Sequence, residues 1–175
     1  MRRIILFLTV LAATASCTLL AADAPKRQGW GGFPLYGNVK SVTRTELKVS
    51  SGVVVRDKIN SKTSYNFNEA GDVTEEATYM SDGSLKGTVI FKYDTQGNLT
   101  EDAVYNSDGS LYQKYTYKYD AKGNKTEGVR YGSAGSLSGK TTYKYDSQGN
   151  VSEITEYDGE MRLVSQFVFT ITYRK

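Results

Sequence analysis

Acidic residues recur at a fixed interval along this chain. Asp94, Asp120 and Asp146 stand 26 residues apart, and so do Glu75, Glu101, Glu127 and Glu153. Two carboxylates facing one cleft can hydrolyse a glycosidic bond, and clustered acids can hold Ca²⁺. The pattern argues against both. A catalytic site is normally one asymmetric constellation, whereas these acids are copies of two positions. They also lack the alternating ligand spacing of calcium loops. There is no His, which removes Ser-His-Asp and Cys-His nucleophiles and His-based zinc sites together. The single Cys is Cys17. Most glycines sit at the repeat spacing, so none builds a phosphate-cradling loop. No catalytic residue, metal or cofactor is expected, and a glycosidase-like enzyme is the most distant reading.

The 14 tyrosines are the sharper candidates. Tyrosine stacks on sugar rings or buries its ring in a protein interface. Tyr79, Tyr105, Tyr131 and Tyr157 recur near the ends of their segments, where exposure is expected. They are the candidate ligand-binding positions, for a protein or a cell-surface glycan. The competing reading makes the tyrosine ladders the core of a curled sheet.

The elements that carry these residues follow from the repeat. Tyr93-Asp94-Thr95-Gln96-Gly97-Asn98 returns as Tyr119-Asp120-Ala121-Lys122-Gly123-Asn124 and as Tyr145-Asp146-Ser147-Gln148-Gly149-Asn150, with a degenerate copy at Phe67–Asp72. A second landmark, Ser-Asp-Gly-Ser before Leu85 and Leu111, becomes Ser-Ala-Gly-Ser before Leu137. Both landmarks are turns. Asp94, Asp120 and Asp146 bond the turn backbone, and Gly97, Gly123 and Gly149 supply its positive-φ residue. In the last unit Asp158-Gly159 is expected to form a two-residue turn, shifted two residues earlier.

Between turns the pattern alternates with period two. Leu85, Val89, Phe91 and Tyr93 oppose Lys86, Thr88, Ile90 and Lys92, and the next two units repeat this. On the return segments Ala77 and Tyr79, Ala103 and Tyr105, and Val129 and Tyr131 share a parity. Stacked units give ladders, Phe67-Tyr93-Tyr119-Tyr145-Ile171 and Tyr65-Phe91-Tyr117-Tyr143-Phe169. The expectation is an all-β antiparallel meander of about ten strands, from 26-residue β-hairpin repeats. It forms a curled single sheet, with a closed barrel as the alternative. Val164 and Val168 make the last strand partly apolar on both sides, which fits packing against another element or, in a homo-oligomer, against another copy of the chain through that terminal strand.

Tyr117-Lys118-Tyr119-Asp120 and Tyr143-Lys144-Tyr145-Asp146 resemble the YD repeat of the rearrangement-hotspot (Rhs) family, Tyr-x-Tyr-Asp-x-x-Gly-Arg/Asn-Leu, over roughly residues 60–160. Phe91 replaces the leading Tyr in the first clear copy. The unit is also distantly similar to MORN-type hairpin repeats. The resemblance implies a β-hairpin architecture, which large family members spiral into shells or display at cell surfaces. It maps no catalytic residue onto this chain, which has too few units to enclose a second domain.

Arg2-Arg3 followed by apolar Ile4–Ala13 has the layout of a secretory signal, residues 1–22, with cleavage between 15 and 22. Residues 23–35 read as an irregular linker or flap, and 36–175 as the repeat domain. Thr14-Ala15-Ser16-Cys17 resembles a lipobox, making Cys17 the lipidation candidate. Export to the periplasm or outside the cell, and a membrane-anchored lipoprotein, both stay open; a lipid anchor is the only membrane contact expected. Without Arg2 and Arg3 the 22 basic residues fall to 20, against 19 acidic ones. No nucleic-acid partner is expected from such a balance. These readings converge on a non-catalytic structural or protein-interaction module of the bacterial cell envelope, with a carbohydrate-binding module as the alternative.

Overall fold

The computed structural model describes Leu35 and residues 38–174. The expected signal segment with Cys17, and all of the linker but Leu35, lie outside the described residues. Ten strands form one antiparallel sheet in chain order: β1 (Ser41–Ser50), β2 (Val53–Phe67), β3 (Val73–Met80), β4 (Leu85–Tyr93), β5 (Leu99–Asn106), β6 (Leu111–Tyr119), β7 (Lys125–Gly132), β8 (Leu137–Tyr145), β9 (Val151–Asp158) and β10 (Leu163–Val168). This is the expected meander. No ladder joins β1 to β10, so the sheet is open and the barrel alternative is set aside.

One turn design recurs. Between β4 and β5, the Asp94 N–H donates to the Asn98 carbonyl at 3.0 Å and the Gly97 N–H to the Asp94 carbonyl at 3.1 Å. Gly97 sits at φ +81°, which completes a type I turn with a left-handed bulge residue. Asp94 Oδ1 accepts from the N–H groups of Gln96 and Asn98, both at 2.9 Å, and Oδ2 from the Asn98 amide at 3.0 Å. Asp120 with Gly123 follows the same plan, and Asp146 with Gly149 keeps all but its last bond, since Asp146 Oδ2 accepts the Tyr173 hydroxyl and the Asn150 amide donates to that hydroxyl. At the other end of each hairpin, Asp82 and Asp108 accept from the hydroxyls of Ser84 and Ser110 at 2.6 Å. The third unit has Ala134 there and keeps both backbone bonds, Gly132 N–H to Ser136 and Gly135 N–H to Gly132, at 2.9 Å. The backbone sets the turn, and the carboxylate braces it.

The last turn corrects the sequence expectation. It has not moved: residues 158–162 stand 26 beyond 132–136 and form the same five-residue turn. Asp158 N–H donates to the Arg162 carbonyl, Met161 N–H donates to the Asp158 carbonyl, and Met161 takes the left-handed position at φ +61°. Gly159 has another role. A Cβ there would lie 2.5 Å from the Leu137 carbonyl oxygen, so glycine permits a close backbone approach.

Cross-strand partners share a face. One row runs Phe91–Asp102–Tyr115–Arg130–Gly139, on what we call the aromatic face. On the opposite face a row runs Lys92–Glu101–Thr116–Val129–Lys140–Tyr157. There the repeated glutamates bridge lysines of neighbouring strands. Glu101 meets Lys92 at 2.8 Å, Glu127 meets Lys118 at 2.8 Å and Lys140 at 2.5 Å, and Glu153 meets Lys144 at 2.8 Å. On the aromatic face the YD tyrosines tie unit to unit, with Tyr93, Tyr119 and Tyr145 donating to the carbonyls of Val73, Leu99 and Lys125 at 2.8, 2.8 and 2.7 Å.

The enclosed aromatic core expected from the ladders is not formed. Among the described apolar residues only Tyr65, Ala77 and Ala103 are buried, while Phe91, Tyr117 and Tyr143 are half-buried. A ring on a single-layer sheet is covered only by its neighbours on the same face. The ladders also stop short: β10 ends at Val168, so Phe169 and Ile171 fall beyond it and stay exposed.

Candidate functional site

In a repeat sheet, a site shows as a strand that departs from its copies. On the aromatic face the return strands present three equivalent positions. They hold Val73, Glu76 and Thr78 in β3, Leu99, Asp102 and Val104 in β5, and Val151, Ile154 and Glu156 in β9. In β7 they hold Lys125, Gly128 and Arg130. Each of the other triplets carries one carboxylate and no cation, whereas that of β7 carries two cations and no carboxylate.

Lys125 opens β7 beside Tyr119, its register partner. Its Nζ lies 5.1 Å from the ring centroids of both Tyr117 and Tyr143, bridging two units. Burial lowers its pKa, against the pull of Asp102. Gly128 faces Tyr117, and a Cβ there would meet the ring edge at 3.5 Å, so a side chain at this position would lie over the ring. Asp102 holds the equivalent position one unit earlier and accepts the Tyr117 hydroxyl at 2.6 Å. Burial raises the pKa of Asp102, and burial together with this bond raises that of Tyr117.

Arg130 reaches toward β8 and lies in ordinary contact with Gly139, whose Cβ position is 3.6 Å from the Arg130 Nη2 and only 3.1 Å from the Tyr157 carbonyl oxygen. Nη2 donates to the Ser138 carbonyl at 3.3 Å. Tyr115 stacks on Tyr117 with centroids 6.4 Å apart and planes 4° from parallel. Together with Thr141 and Glu156, these residues line a concavity of about 450 Å³. Glu156 already accepts the Ser165 hydroxyl at 2.5 Å. The arrangement offers flat rings, the cations Lys125, Arg130 and Lys140, and the carboxylates Glu156 and Asp158.

The four tyrosines singled out from the sequence lie elsewhere. Tyr105, Tyr131 and Tyr157 pair with Thr88, Lys114 and Lys140, and Tyr79 pairs with Lys62, which places all four on the lysine–glutamate face. All are half-buried, and the Lys114 Nζ stands 5.2 Å from the Tyr131 centroid. Only Tyr157 also borders the concavity. Sequence reasoning missed Lys125, Gly128 and Arg130. Comparing return strands column by column at the 26-residue spacing would have found them.

A second feature is the β10 edge. Among the described strands β10 pairs only with β9. Phe167 pairs with Ile154 on the aromatic face and Val168 with Glu153 on the other, and these two are 51% and 73% exposed.

Comparison with known proteins gives the family. The sequence profile of the Teneurin YD-shell matches residues 33–166. No curated protein matches the chain. Among solved structures, the Tc holotoxin pore of Photorhabdus luminescens is similar at 17% identity and a TM-score of 0.48, over 70% of this chain and 7% of that one. A porin-like protein from Bacteroides uniformis is similar at 16% identity and a TM-score of 0.39, over 74% of this chain and 50% of that one. A protein of unknown function from Bacteroides fragilis matches at 14% identity and a TM-score of 0.42, over 74% of this chain and 93% of that one. The assignment rests on the profile, whose span takes in every strand but the last two residues of β10. This chain belongs to the Teneurin YD-shell family, as a structural repeat module.

Proposed function

We propose that this chain is a non-catalytic, exported module of the bacterial cell envelope that works by protein contact, its β10 edge pairing with a strand of a second copy. The observation that carries this reading is the β10 edge, apolar toward both faces and, among the described residues, without a strand on its outer side. A free edge is a template for strand addition, and soluble proteins usually blunt it with charge, bulges or proline. The edge strand β10 has a register shift between Leu163 and Ser165 but carries no charged residue (Leu163–Val168 is LVSQFV). Export is supported by the basic head and apolar run at the N-terminus. Cys17 marks a lipid-anchored alternative within the same reading.

The test is light scattering on the purified chain over a concentration series, beside Val164→Lys/Val168→Lys. Wild type is expected to self-associate with concentration, and the variant to stay monomeric. A wild type that is monomeric throughout refutes self-pairing. Cell fractionation of wild type and Cys17→Ser checks localisation: membrane association lost in the variant identifies an anchor, and a wild type retained in the cytoplasm refutes export. Glycan stacking on Tyr79, Tyr105, Tyr131 and Tyr157 is less well supported, because these rings are flanked by the lysine–glutamate ladders of their face.

A further inference from the structure

We infer that the β7 concavity on the aromatic face is a binding site for an acidic sugar, a uronate unit of a polysaccharide. This goes beyond protein contact at the β10 edge and does not depend on it.

The first support is the departure from the repeat. On the lysine–glutamate face the glutamates at 75, 101, 127 and 153 keep their class, and on the aromatic face β3, β5 and β9 vary in residue but each keeps one carboxylate and no cation. The three β7 positions change class together, within one strand and on one face. Lys125 replaces an aliphatic residue, Gly128 replaces an acid or a large aliphatic, and Arg130 replaces Thr, Val or Glu. The charge of the triplet moves from one negative to two positive, and with Lys140 set against Glu156 and Asp158 the lining keeps a small positive excess, the sign that suits an anionic ligand.

The second support is shape. Glycine at 128 leaves the Tyr117 ring without the side chain that Asp102, in the equivalent place, sets against Phe91 in the preceding unit. Tyr117 and Tyr143 flank β7, and Lys125 is held between them. A sugar ring can stack on the paired Tyr115 and Tyr117 rings while its carboxylate meets Lys125 at one end of the concavity or Arg130 at the other. Its hydroxyls find an acceptor in Glu156 and a partner in the Thr141 hydroxyl. A concavity of about 450 Å³ lies within the usual range for small-ligand sites.

The third support separates a sugar from an acidic peptide. Peptides that bind sheets do so mainly by adding a strand at an edge. β7 is interior, with β6 and β8 paired to it along both sides. Its backbone is already bonded, so recognition here runs through side chains and rings.

The experiment is calorimetric titration of the purified chain at low salt with trigalacturonate and trimannuronate, free galacturonate, the methyl ester of trigalacturonate, and pentaglutamate. At least one uronate trimer should bind, at least tenfold more tightly than the uncharged ester. Saturation by free galacturonate would identify a monosaccharide source, and preference for the trimer a polymer. Two variants copy the β5 residues into β7: Lys125→Leu/Arg130→Val removes the cations, and Gly128→Asp fills the space over Tyr117 with a carboxylate. Each should weaken binding at least tenfold while circular dichroism and the melting temperature stay near wild type. Lack of binding to either uronate trimer overturns the inference. So does binding unchanged in both folded variants. Pentaglutamate binding as tightly as the trimers would assign the surface to acidic peptides instead.

Discussion

Replacing Met161 with glycine should stabilise the protein. Met161 holds the left-handed position of the last turn at φ +61°, where equivalent positions carry glycine. For an L-residue with a side chain that conformation costs about 1–2 kcal/mol. Glycine removes the strain but frees the unfolded chain by about 0.4–1 kcal/mol. Little packing is lost, because Met161 is 46% exposed. The balance is a gain of about 0.5–1 kcal/mol, which for a chain of this size is about 1–4 °C in melting temperature. Gly149→Ala is the mirror experiment, since Gly149 sits at φ +87° with open space around its Cβ position, and it should lower the melting temperature by a similar amount. The assay is thermal unfolding followed by circular dichroism. The sign decides. If Asp158-Gly159 were instead the centre of a two-residue turn, Met161 would be an extended residue and glycine there would cost about 0.5–1 kcal/mol. A lower melting temperature for Met161→Gly therefore refutes the turn assignment.

Two further outcomes follow from the hydrogen bonds and the topology. Hydrogen bonds from Asn98 hold the Asp94 carboxyl below its ordinary range, and Asp82, Asp108, Asp120, Asp146, Asp158, Glu127 and Glu153 are lowered by their own partners. A depressed folded pKa contributes stability that is present above the unfolded value and lost as pH falls through the folded one. Glu76 and Asp102, raised by burial, act the opposite way, losing stability as pH rises through their folded values. The lowered groups outnumber the raised ones, so the melting temperature should fall from about pH 5 to about pH 2; a flat or rising profile contradicts this. Deleting residues 94–119 should leave a folded, shorter sheet that unfolds cooperatively, because the strong strand contacts all join sequence neighbours. A deletion variant with no cooperative transition would mean that the strand number is fixed after all.

Much of this architecture was legible because each turn names itself. Asp94 and Gly97 set one hairpin end, and Ser-Asp-Gly-Ser sets the other, so ten alternating segments had few ways to pair. The side on which Tyr105 and its equivalents lie was not legible. Tyr105 faces Leu111 across a register shift at the five-residue turn, so alternation carried through that turn cannot assign a face. Met161 hid its role for a related reason. Asp158-Gly159 satisfies a known turn rule locally, while the hydrogen-bond frame inherited from residues 132–136 outweighs the cost of a left-handed methionine. In each case local preference lost to ladder register.

The β7 site was hidden differently, since Lys125, Gly128 and Arg130 are each ordinary strand-surface residues in isolation. They become informative only when the register shows that one face brings them together and when β3, β5 and β9 supply the comparison. A single-layer sheet makes that comparison meaningful. With few residues fully buried, a position on the aromatic face is not fixed by the need to fill a core. Such positions are free to vary, and a coordinated change at three of them, aimed at one concavity, is then harder to explain by packing than by a ligand. The tolerance that makes the YD sheet a poor core is what makes it a surface on which a binding site can be written into one strand without disturbing the next.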